Sequence, residues 1–158
     1  MQKIDLLISH RQIQLWAREF NYTLCQWGKK NLEQGAVIHK DIAVFDPIID
    51  EPFGANVILE ASKIFTPDPT AERIIVFPFF IQNRDKVEIS SVSEAFKIDV
   101  DLEEGLYRVY YEICEGLEGE EIYYKFTFVP GSCEFIPHYT ISDSWGGQEN
   151  KLLSIGYC

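Results

Sequence analysis

Apolar and polar residues alternate with a period of two along much of this chain, the signature of half-buried β-strands. Residues 11–18 place Ile13, Leu15 and Ala17 on one face and Gln12, Gln14 and Arg18 on the other. Trp16 interrupts the polar face, which predicts a neighbouring segment laid over it. Residues 106–114 repeat the pattern, with Tyr107, Val109, Tyr111 and Ile113 on one side and Arg108, Tyr110 and Glu112 on the other. Residues 94–101 turn Phe96, Ile98 and Val100 inward and Lys97, Asp99 and Asp101 outward. Residues 121–129 turn Ile122, Tyr124, Phe126 and Phe128 inward. Residues 4–8, 42–45, 55–61 and 87–92 read as further strands. Residues 73–82 are apolar on both faces, as a central sandwich strand is. Pro78 inside that run has no N–H to give a ladder, so it marks a bulge or an edge.

Between these runs lie turn signals. Residues 48–54 form a loop held by Pro52 and Gly54, and Thr66-Pro67-Asp68-Pro69 is a turn. Glu103-Glu104-Gly105 precedes one strand, and an acidic loop at residues 115–120 precedes another. The one helical stretch is residues 26–34, with Trp27 and Leu32 on it and Gly35 where a helix-terminating glycine stands. It is too short to be stable alone and must pack on the rest. After Val129 a short strand is expected at residues 133–136. The remaining tail adds edge strands or wraps over the fold, with Trp145 anchored on an apolar surface. Eight or more short strands with a turn about every ten residues predict an all-β protein, an antiparallel β-sandwich with one short helix. The expectation is a single domain over residues 1–158, with 130–158 as a C-terminal extension.

Composition fits that reading. The chain has 158 residues, 46% of them apolar and 14% aromatic, enough for a full core and too many for intrinsic disorder. Charge adds more. Fourteen Lys and Arg face 25 Asp and Glu, a net charge of -11. Binding a phosphate backbone requires cations that displace its counterions, so direct nucleic-acid binding is excluded as an expectation. The acidity is concentrated. Residues 99–121 carry nine acids against Arg108 alone, which is -8 of the total. Asymmetry of this kind marks a candidate face for a basic partner.

The opening residues lack an apolar signal-peptide core, and no run of some 18 apolar residues predicts a membrane helix. Cys25, Cys114, Cys133 and Cys158 are scattered, with no Cys-x-x-Cys pair, and read as reduced thiols of a cytoplasmic protein. His10, His39 and His138 have no partner at metal-ligand spacing, and no nucleophile, P-loop or dinucleotide motif is present. A binding protein without catalytic residues, metal or cofactor is therefore the expectation. Two oxygen-rich groupings, Asp46 with Asp50 and Glu51, and Asp99 with Asp101, keep a calcium-binding sandwich as an alternative.

Several pieces occur in a telling order: Ser9-His10-Arg11-Gln12-Ile13, the Trp27-bearing helix ending at Gly35, and Ile42-Ala43-Val44-Phe45-Asp46. The strand at residues 55–62 follows, then Val76-Phe77-Pro78-Phe79, Val87-Glu88-Ile89-Ser90-Ser91-Val92, residues 96–101, and Glu104-Gly105-Leu106-Tyr107. Over residues 4–114 this succession resembles the competence protein J family, the DNA-entry nuclease inhibitors of competent bacteria. The resemblance implies a protein that binds and silences a basic nuclease. A carboxylate-rich surface can occupy the cleft where such an enzyme takes DNA. The residues placed to do so here are Glu112, Glu115, Glu118, Glu120 and Glu121, with Tyr110 as aromatic anchor. Ser9, His10 and Trp27 match the family pattern best and read as fold determinants. The alternatives are an immunity protein against a toxin, a calcium- or lipid-binding sandwich module, and a hydrolase with a pocket at the sandwich mouth.

Overall fold

The computed structural model describes residues 1–49, 55–131 and 133–158. In chain order the elements are β1 (Gln2–Leu6), β2 (Ile13–Trp16), α1 (Lys29–Gln34), β3 (Ala36–Ile38), β4 (Ile42–Phe45), β5 (Ala55–Ala61) and β6 (Ala71–Ile81). They continue with β7 (Glu88–Ser90), β8 (Ala95–Lys97), β9 (Gly105–Cys114), β10 (Tyr123–Pro130) and β11 (His138–Tyr139). Single 3-10 turns lie at Tyr22–Cys25 and Arg84–Lys86. One sheet has the order β1-β5-β10-β9-β6-β11, the other β3-β4-β2-β7-β8. The fold is all-β.

The two sheets bury one core between them. The inward rows are those the period of two predicts: Ile13 and Leu15 on β2; Tyr107, Val109, Tyr111 and Ile113 on β9; Tyr124, Phe126 and Phe128 on β10. Phe45 of β4 stacks on Tyr111 of β9 across the gap, ring centroids 4.1 Å apart. Trp16 faces outward and is buried beneath residues 17–28, with Cys25, Val37, Ile42 and Val44 around it. The predicted cover over the tryptophan is this segment. It ends in α1, which is shorter than residues 26–34 and closes on Gly35 at φ 77°.

Four features differ from the sequence reading. The sandwich is not wholly antiparallel: β10 runs parallel to β5, Tyr123 pairing with Asn56. Only Ala95–Lys97 of residues 94–101 form a strand, and Phe96 is exposed because β8 is an outermost strand with a single neighbour. Ile98 and Val100 pack on the core from the loop that follows, and Asp99 and Asp101 lie in that loop, not on a strand face. The tail strand is His138–Tyr139, paired with Val76 and Ile75, rather than residues 133–136.

Pro78 sits where its missing N–H costs nothing. The Phe80 N–H donates to Lys40 O, and Ile74 O accepts from Thr140 N, both on the side of β6 away from β9. The two-residue period aims the Pro78 nitrogen the same way, past the end of β11, where no ladder bond is due.

Arg73 continues the inward row of Ile75, Phe77 and Phe79, yet it is a buried cation. Asp143 of the tail meets it in a two-bond fork, Nε to Oδ2 at 2.8 Å and Nη2 to Oδ1 at 3.1 Å. Further donors reach Gln34 O and Trp145 O, and the guanidinium lies over the Tyr139 ring. Burial pushes the Asp143 carboxyl upward, but the bonds from Arg73, Gly147 and Trp145 outweigh it and hold the pKa below the usual value. Asn31 ties the far end of the tail, accepting from the N–H groups of Gly28 and Cys158 and donating to Gly156 O. Residues 130–158 are thus fastened to the sandwich at both ends.

Candidate functional site

The contiguous acidic stretch divides in space. β9 runs between its two halves, and ten strand residues span about 30 Å. Asp99, Asp101, Glu103 and Glu104 stand exposed before the strand, the two aspartates beside Arg84 and Lys97. Glu115, Glu118, Glu120 and Glu121 stand exposed beyond it, in the β9–β10 loop. The register brings Ala71 of β6 opposite Cys114, so Glu72 lies beside Glu115. Hydrogen bonding to the Glu115 carboxylate and the charge on it raise the Glu72 pKa. Among the described residues, no Lys or Arg comes within ion-pair distance of these five glutamates. Like charges held together without a cation cost the free protein stability and favour a cation brought by a partner.

The loop has a defined shape. Gly116 and Gly119 adopt φ 81° and 86°, and a Cβ at Gly116 would meet Glu121 O at 3.0 Å, so glycine is required there. Glu120 N–H donates to Leu117 O, and the Glu120 carboxylate accepts from Leu117 N–H. Thr70 anchors the loop's start: its carbonyl accepts from Glu115 N–H and its hydroxyl from Gly116 N–H.

Thr70 ends the β5–β6 connection, residues 62–70, which folds back over the outer face of the six-stranded sheet. Phe65 stacks on Tyr110, centroids 3.7 Å apart and planes within 3°. Tyr110 is therefore half-covered rather than a free anchor. Glu112 is completely buried, which takes it off the contact surface proposed from the sequence. Its Oε2 accepts from Asp68 N–H at 2.8 Å, while Oε1 has no partner among the described residues. Lys125 lies directly across on β10, but its ammonium pairs with Glu60. Burial raises the Glu112 pKa to about 7, against smaller lowering by the Asp68 N–H and Lys125. Asp68 accepts from the Thr70 N–H and hydroxyl and from the Tyr123 hydroxyl; these bonds outweigh its burial and hold its pKa low. The chain Glu112–Asp68–Thr70 thus links the interior of the sheet to the acidic loop.

The other expected sites fare differently. The Asp46 carboxylate is taken up by Ile48 N–H and Arg11, and Asp50 and Glu51 lie outside the described residues. Among the described residues, no three His, Cys, Asp or Glu side chains gather as a metal site. His10 lies in a turn, His39 bonds to Leu24 O, and His138 bonds to Ile136 O. Sequence reasoning missed Glu72, whose proximity to Glu115 follows only from strand register. It also missed the folded-back connection, for which Pro67 and Pro69 gave a turn but no direction.

Comparison with known proteins adds two findings. A sequence model of the family described as Competence protein J (ComJ) matches residues 5–129. The fold is similar to the crystal structure of ComJ, inhibitor of the DNA degrading activity of NucA, from Bacillus subtilis. The TM-score is 0.65 at 16% identity, covering 82% of this chain and 95% of that one. No curated protein matches the chain.

Proposed function

The chain belongs to the competence protein J family, and from that membership we propose that it is a protein inhibitor of a DNA-degrading nuclease. It acts by binding, with no chemistry of its own, and its contact surface is the acidic rim of Glu72, Glu115, Glu118, Glu120 and Glu121. The observation that carries this is the exposure of five carboxylates, two of them in contact, with no Lys or Arg among the described residues within ion-pair distance of them. A nuclease presents a basic cleft to DNA. A fixed row of carboxylates offers that cleft what a phosphate backbone offers, and the attraction speeds encounter. The same charge keeps the inhibitor itself off nucleic acid. The related ComJ, an inhibitor of NucA, supports the nuclease as partner. We place the inhibitor in the cytoplasm, where thiols such as those of Cys25 and Cys114 stay reduced.

The experiment titrates the purified protein into the cognate nuclease and follows DNA cleavage. Inhibition reaches completion at a fixed stoichiometry. Reversing Glu118, Glu120 and Glu121 to Lys slows association by about tenfold or more at low salt, and by less at high salt. A triple variant that inhibits as well as the parent at low salt removes the acidic rim from the account.

A further inference from the structure

We propose that the outer face of the five-stranded sheet carries a second recognition site, which takes an extended, arginine-bearing segment of a protein. Residues 17–28 seal only half of that face. Across the other half runs an open groove of about 850 Å³, far more than one side chain fills, between β2 and the 17–27 segment on one wall and residues 88–95 on the other.

The floor is rigid and polar. Gln14 is buried; its amide donates to Gln12 Oε1, and its Oε1 accepts from the Trp16 indole and the Ser90 hydroxyl. The rim is aromatic: Phe20, Tyr22 and Tyr157 are each 67% exposed or more, and Phe20 packs on Trp16 at 4.9 Å. The charge is negative. Glu88 stands directly opposite Trp16 on β7, and Glu94 lies farther along the same wall. Among the described residues neither has a cation within ion-pair distance, and Lys97 on β8, opposite Glu88, falls outside it. Arg18, the cation that lines the groove, is engaged by Asp41 at 3.9 Å.

The Glu94 carboxylate accepts from Leu7 N–H at 3.0 Å but has no counter-cation, and aromatic faces beside carboxylates without a counter-cation are the chemistry that holds a guanidinium, by cation–π attraction and by charge. Phosphate is repelled by the same carboxylates. The Trp27 indole N–H in this wall is buried with no acceptor among the described residues. His10 stands at the groove's mouth, and it and the following Arg11, whose guanidinium turns away to Asp46, adopt φ 55° and 53°, a left-handed pair without glycine. Ser91 holds that turn, its hydroxyl oxygen accepting from Ser9 N–H while its one proton is donated to Gln12 O or shared with Ser9 O. Strain that the surroundings enforce is a mark of recognition sites. The groove is independent of the acidic rim, and its test does not involve the nuclease.

The test uses the full-length, ¹⁵N-labelled protein and three peptides, acetyl-Gly-Arg-Gly-Arg-Gly-amide and its Gln and Glu counterparts, with a neutral glucose hexasaccharide as the other occupant. The arginine peptide is expected to move the indole resonances of Trp16 and Trp27 saturably and to leave that of Trp145 in place. The Glu88→Gln/Glu94→Gln variant keeps the neutral hydrogen-bonding shape and weakens binding at least tenfold. The Glu118/Glu120/Glu121 to Lys variant binds the peptide within twofold of the parent. No saturable shift at millimolar peptide overturns the proposal. So do equal binding of the Gln peptide, equal binding by the Glu88/Glu94 variant, or tighter binding of the oligosaccharide.

Discussion

Glu112 is a titrating group set inside a sheet, and replacing it with glutamine isolates what that titration costs. Its pKa is about 7 in the folded protein against an ordinary 4.5. A raised folded pKa means that folding takes up a proton. The stabilisation is complete below pH 4.5, declines as the pH rises, and is gone once the pH passes about 7. At 1.36 kcal/mol for each unit of difference, the full loss is about 3 kcal/mol. The amide that Glu112→Gln introduces keeps an oxygen to accept from Asp68 N–H and leaves an NH2 with two unpaired donors where the protonated acid leaves one unpaired O–H, an offset that does not vary with pH. Variant and parent should be equally stable near pH 4.5 to within about 1 kcal/mol. Glu112→Gln is therefore expected to gain on the parent steadily up to pH 8, reaching about 2–3 kcal/mol. Urea unfolding of both proteins at half-unit intervals from pH 4.5 to 8.5 measures the difference directly, free of every other titrating group. A flat difference refutes the reasoning, and so does one that bends only near 4.5, because either result means the carboxylate is solvated in the folded state.

Three further outcomes follow from the packing. Asp143→Ala leaves the Arg73 guanidinium buried without its counter-charge and should cost about 3–5 kcal/mol in thermal or urea unfolding; a loss under about 1 would mean the pair is solvated. In the parent, the Asp143 contribution is present above the ordinary carboxyl pKa and is lost as the pH falls below it. Gly35→Ala should destabilise by about 1 kcal/mol or more, since the position has φ 77° and the new Cβ would meet Arg73 Nη1 at 2.7 Å; an unchanged melting temperature would contradict it. His10→Gly should stabilise by about 0.5–1 kcal/mol by relieving the left-handed backbone at φ 55°, read as a higher urea midpoint, and a lower midpoint would show the ring itself is needed.

The inward rows of β2, β9 and β10 were legible because burial between two sheets demands apolar residues at every second position, and nothing competes with that demand. The same rule misled at residues 94–101. Alternation reports that a segment can lie on a surface, not that a strand waits on both sides, and β8 has only β7 beside it. Glu112 was misplaced for a related reason. The pattern separates it correctly from the inter-sheet core, but whether the outer face is wet depends on residues 62–70, whose folding back has no one-dimensional mark. The acidic loop was visible as a charge run. Its separation from Asp99 and Asp101 required knowing that a ten-residue strand stands between them. Arg73 opens an apolar run, and only the fold brings it Asp143 from seventy residues downstream.

The parallel pairing of β5 with β10 sets the order in which this protein can be completed as it is made. β5 lies between β1, which is synthesised first, and β10, which pairs with it 67 residues later. Until residue 130 has left the ribosome, one side of β5 presents unmet N–H and C=O groups, an adhesive edge for any passing strand. Contacts this far apart in the chain also make folding slow. A half-made chain would thus be more prone to stick than to function. The acidic loop precedes β10 directly, so it would take its final shape only when that strand docks, and the contact surface proposed for it would exist only once the sheet has closed.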